Sequence, residues 1–163
     1  MKRSTLIISI ILLAVFGACN NADNKDKSLN AAKARADSLE NLILKGHDIA
    51  MPKSMKIPDL QTEVKRLIDS IGKLPAKAKE AAAPYKSQLD AVDKELGDAY
   101  SSMESWMQEF GEKFQELNND SVKNNFEEKI KYYSSELPKI DQVKTAVLES
   151  VKKADSLLKS KKE

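Results

Sequence analysis

The chain has 163 residues, 27 of them basic and 25 acidic, so its formal charge is only +2. That near balance lacks the electrostatic footprint of a nucleic-acid binder and argues against general attraction to anionic lipid. One cysteine, few aromatics and five glycines, set among abundant Lys, Glu, Ala, Ser and Leu, exclude a paired-cysteine metal motif and favour helix over sheet.

Met1-Lys2-Arg3 is a positive start, and the apolar run from Leu6 to Phe16, interrupted only by Ser9, is too short to span a bilayer. Residues 1–18 therefore read as a cleaved signal peptide. Gly17-Ala18-Cys19 resembles the lipobox read by the lipoprotein signal peptidase, with Phe16 where Leu, Val or Ile is usual. The expected mature protein begins at a lipidated Cys19, whose acyl chains hold it to a membrane more firmly than one chain could. A lone free thiol in an oxidising compartment would be a liability, which favours lipidation over an ordinary secretory signal. Loss of Lys2 and Arg3 lowers the basic count from 27 to 25 and leaves the mature charge balanced.

Residues 20–28 contain no large apolar side chain and read as a disordered tether, reaching roughly 15–18 Å as a flexible coil. Asn20 is not the Asp that marks inner-membrane retention in enteric lipoproteins, so the resemblance implies the outer membrane. The periplasmic or surface side stays open.

From residue 29 to residue 163 the spacing predicts a helical bundle, because apolar residues return every three or four positions over many turns. The first stripe runs from Leu29 through Ala36, Ile43, Ala50, Ile57 and Val64 to Ile71, broken by Gly46 and Lys53. The second runs from Ala78 through Leu89, Leu96, Met103, Trp106 and Phe110 to Leu117, broken by Lys113. The third runs from Val122 through Ile130, Tyr133, Leu137, Ile140 and Val147 to Leu158, broken by Lys144. Gly72 and Pro75 punctuate the first turn, and Asn118-Asn119-Asp120 the second, with Asn119 or Asp120 as helix cap. The expected fold is all-α, an elongated antiparallel three-helix bundle about 60 Å long. Pro52, Pro58, Pro84 and Pro138 fall inside the helices and predict kinks. The alternative is a four-helix bundle, with the first segment broken at Met51–Asp59.

His47, Met51 and Met55 share one face of the first helix, beside the seam. A hairpin at Gly72–Pro75 sets His47 opposite Ser101, Ser102 and Met103, with Met107 one turn on and Tyr132 and Tyr133 at a similar level. An imidazole with two or three thioethers is a soft ligand set, suited to Cu(I) through His47, Met51, Met103 and Met107. The competing reading makes these residues core filler, since Met fills gaps and Trp106 belongs to the seam. A His–Met haem site of the cytochrome b562 type is a further alternative. The charged stretches read as solvated helix faces, and carboxylate pairs such as Asp90 with Glu95 or Glu127 with Glu128 have no supporting pattern, so no enzyme is expected.

The run His47-Asp48-Ile49-Ala50-Met51-Pro52-Lys53, the later run Met103 to Phe110 and the C-terminal helix together resemble a group of small Bacteroidota lipoproteins commonly called viral A-type inclusion proteins. The resemblance spans most of the mature chain. It implies envelope placement and helical structure, and it supplies no reaction. The expected function is that of a lipid-anchored structural or protein-interaction module. Its expected partners are the membrane through the anchor and either an envelope protein or a second copy, with a copper-handling lipoprotein as the alternative.

Overall fold

The computed structural model describes residues 20–160, with side chains from Lys25 onward. The expected signal peptide, Cys19 and residues 161–163 lie outside the described residues. Four helices follow in order: α1 (Asn20–Ser54), α2 (Ile57–Gly72), α3 (Ala76–Leu117) and α4 (Phe126–Lys159). The first two are joined as one bent rod, so the architecture is the expected all-α bundle of three rods.

The seam explains the rods. Ala36, Ile43, Ala50, Ile57, Val64 and Ile71 return every seven residues, and none is more than 1% exposed. This heptad passes through the bend without losing phase, which keeps one face of α1 and α2 against the core. In α3 the buried residues Leu89, Val92, Leu96, Ala99, Met103, Trp106 and Phe110 alternate steps of three and four. Side-chain pairing sets the directions. Tyr133 reaches Glu40 and Ile140 meets Gly46, so α4 runs parallel to α1. Trp106 reaches Glu136 and Glu95 reaches Lys153, so α3 runs antiparallel to α4.

The bend has a chemical cause. Pro58 has no N–H for the carbonyl of Ser54, and the Lys56 N–H instead bonds to Lys53 in a tighter turn at 3.0 Å. Helix resumes with the Leu60 N–H on the Lys56 carbonyl at 3.1 Å. The break at Met55–Lys56 lies inside the window of the four-helix alternative, but it makes no fourth rod. Its effect is to change neighbours, since α1 packs chiefly on α4 and α2 chiefly on α3. Pro52, Pro84 and Pro138 sit on exposed faces inside unbroken helices. The residues whose carbonyls they deprive, Asp48, Glu80 and Ser134, are exposed and can turn those carbonyls to water.

Several expectations are corrected. Residues 20–28, expected as a disordered tether, belong to α1, and Lys25 to Ala31 are exposed along it. Leu29 is 51% exposed and does not join the core. The second turn is longer than expected and includes Val122, 36% exposed, because the cap of α4 is Asn125 and neither Asn119 nor Asp120. The Asn125 side chain accepts the Glu128 N–H at 3.3 Å, and its amide donates to the Glu128 carboxylate at 3.0 Å, which holds the cap in place. In α4 the buried step after Tyr133 falls on Glu136, and Leu137 flanks it half-buried.

Gly46, which interrupts the apolar stripe, is buried. A Cβ there would stand 3.1 Å from Cγ1 and 3.4 Å from Cγ2 of Ile140, so the missing side chain lets α1 and α4 approach closely. Among the described residues no helix is long and apolar enough to cross a membrane.

Candidate functional site

The end of the bundle nearer the second turn holds an aromatic column. Trp106 stacks on Phe110 at 4.9 Å between ring centroids, and Phe110 contacts Phe114, Tyr132 and Tyr133 at 5.7–6.3 Å. Offset ring contacts of this kind add to the burial of the rings themselves. Polar groups thread through the column. The Trp106 indole N–H donates to Glu136 at 3.2 Å, and the other Glu136 oxygen accepts from Lys139 at 2.7 Å. Glu136 is 3% exposed, and its carboxylate has a partner at each oxygen. Tyr133, fully buried, donates to Glu40 at 3.1 Å. Lys129 donates to the Asn118 side-chain amide oxygen Oδ1 at 2.6 Å and ties the second turn to α4.

These surroundings shift the phenols. Burial first, then the carboxylates of Glu136 and Glu109, push Tyr132 up to about 12. Burial, followed by Glu40, raises Tyr133 as well. Both hydroxyls therefore keep their protons at any neutral pH.

His47 borders the column. Its ring centroid lies 6.0 Å from that of Trp106 with the planes tilted 33°, and its Nδ1 lies 3.1 Å from the Asp48 carboxylate. The side chain keeps 26% of its exposure. The sequence-derived ligand candidates separate by burial. Met103 is fully buried in the α3 seam, whereas Met51 and Met107 are half-buried at the margin of the core, and Met55 is 67% exposed at the bend. The register also differs from the expected one. His47 meets Trp106, about one turn along α3 from Ser101–Met103, and Gln61 meets Asp93 and Gly97. Residues 76–81 of α3 are all exposed, so its first turns overrun the packing with α2 and displace the pairing.

Among the described residues no group of three His, Cys, Asp or Glu is placed to hold a metal ion, so a metal at this level would depend on thioethers. The carboxylates considered as acid–base pairs have other partners. Asp90 binds Lys86, Glu95 binds Lys153 and Glu128 binds Asn125. Elsewhere an open groove of about 750 Å³ between α3 and α4 is lined by Ala91, Val92 and Leu157, with Lys153 on its rim.

Glu136 was the residue missed from sequence. A signal existed, because it stands three residues after Tyr133 and four before Ile140, on the stripe that must face inward. The chain matches no protein-family model, no curated protein and no solved structure.

Proposed function

We infer that the chain is a lipid-anchored envelope protein of the outer membrane, whose helical bundle serves as a structural or protein-interaction module carried on a helical spacer. The observation that carries this reading is the lipobox-like Gly17-Ala18-Cys19 in the sequence, with an exposed stretch of α1 between it and the packed bundle. From Asn20, the first described residue, the chain is helical, and packing against the rest of the bundle tightens only at Ala36. Between these points the side chains described are exposed, apart from half-buried Ala32. A helix of this length spans about 24 Å at 1.5 Å per residue. Acyl chains supply the membrane affinity that a charge-balanced surface cannot. The reading assigns the protein no reaction.

Cell fractionation tests it. The wild-type chain, expressed in a Gram-negative host, is expected in the membrane pellet with a mature N-terminus at a lipid-modified Cys19. Cys19→Ala is expected to leave the membrane or to remain unprocessed. A mature N-terminus elsewhere, or a processed Cys19→Ala protein still held by membranes, overturns the reading.

A further inference from the structure

The register of α3 against the first rod brings three half-buried side chains with soft donor atoms to one level at the edge of the core, and the geometry points to a Cu(I) site formed by His47, Met51 and Met107, with Met103 excluded from it. The inference does not depend on the lipid anchor.

The register is pinned at two places. Gln61 donates to the Asp93 side chain at 3.1 Å and to its carbonyl at 3.2 Å, and Lys65 lies 3.8 Å from the same carboxylate. Gln61 and Asp93 each belong to a row that flanks a seam and repeats every seven residues. On the first rod the row is His47, Ser54, Gln61 and Ile68, and on α3 it is Asp93, Tyr100, Met107 and Phe114, all half-buried except the fully enclosed Ser54. Antiparallel rods exchange partners one heptad at a time in opposite directions. Two such steps from Gln61 and Asp93 bring His47 level with Met107, and the same steps from Lys65 bring Met51 there. The contact between His47 and Trp106, the neighbour of Met107, fixes the register independently at this level.

The chemistry of the three groups is matched. Met51 stands one turn beyond His47 on the same face of α1, and both Met51 and Met107 pack at the edge of the core rather than inside it. Nδ1 of His47 faces the Asp48 carboxylate, so an N–H at Nδ1 leaves the Nε2 lone pair for a metal, in the arrangement that orients many metal-bound imidazoles. An imidazole and two thioethers favour a soft monovalent ion over Zn²⁺ or Mg²⁺, which prefer harder donor sets. Trp106, the only tryptophan, walls one side. Met103 points into the fully enclosed seam, out of reach of an ion entering from solvent.

Anaerobic titration of the detergent-solubilised mature protein with Cu(I), against a chromophoric Cu(I) chelator, tests the site, with Trp106 fluorescence as a second readout. One Cu(I) per chain and quenching of Trp106 are expected. His47→Ala, Met51→Leu and Met107→Leu should each weaken binding by more than about ten-fold, the least that losing even an outer partner of a metal ligand costs. Met103→Leu should bind as the wild type does, and circular dichroism should show all four variants equally helical. No binding by the wild-type protein overturns the proposal. So does affinity unchanged by any one of the three ligand substitutions, or lost equally in Met103→Leu.

Discussion

Trp106 donates its indole N–H to the Glu136 carboxylate at 3.2 Å, and both side chains are buried where α3 packs on α4. A charged acceptor inside an otherwise apolar seam is costly unless its oxygens are occupied, and here Lys139 holds the second. Glu136→Ala leaves the indole N–H without its partner, so unfolding in urea should show a loss of about 1–3 kcal/mol. In a double-mutant cycle with Trp106→Phe the two losses should add to less than their sum, since both remove the same bond. Full additivity would mean that the bond contributes nothing to stability.

Gly46 and Ile140 supply a second test. Replacing a helical glycine with alanine normally stabilises by about 1 kcal/mol. Here the new Cβ meets Ile140, which is fully buried and stiff at its branched carbon, so Gly46→Ala should be neutral or destabilising. In an Ile140→Ala background, where both contacting carbons are gone, the same change should recover its stabilising sign. Thermal melts of the four proteins decide it.

The first turns of α1 have helical geometry and little tertiary support. Short helices without packing are marginal, so amides of residues 25–31 should exchange with solvent far faster than those near Ile43 and Ala50. Leu29→Ser should shift stability by no more than about 0.5 kcal/mol, as is usual for exposed sites. Protection of residues 25–31 equal to that of the core would mean that this stretch is covered, for instance by a second copy.

Alkaline titration should expose the buried phenols. Tyr132 is pushed up to about 12, by burial first and then by Glu136 and Glu109. The unfolded chain gives up this proton near the ordinary tyrosine value of 10.0, so the contribution is complete below that pH and is lost as pH rises from there through about 12. Tyr133 acts in the same direction. Tyrosinate absorbance from these two should therefore appear together with loss of helix. Glu136→Gln should bring the Tyr132 onset down only in part, since burial, the larger cause, remains.

How much of this was legible in the sequence varies by residue. The heptad from Ala36 to Ile71 announced a continuous buried face, and the structure keeps it through Pro52 and Pro58. The partner of His47 was legible only to within about one turn, because the count from Gly72–Pro75 assumes that packing starts at the turn, whereas α3 begins with exposed turns. The division between Met103 and Met107 was legible in part, since Met103 lies on the stripe from Leu89 to Phe110 and Met107 beside it; the structure adds that Met103 is fully enclosed and Met107 half-buried.

The sequence by itself determined that the chain from residue 29 onward is mostly helical, that it turns after Gly72 and after Leu117, and which stripe of each helix meets the others, because a period of three and four residues settles the orientation of a helix about its own axis. Tertiary structure alone decided how far the rods slide past one another, which partners close on the Glu136 carboxylate and that the Trp106 ring stands beside His47. Axial sliding leaves each helix's own pattern unchanged, so only the interlocking of side chains from different rods, as at Gly46 with Ile140 and Gln61 with Asp93, can fix it.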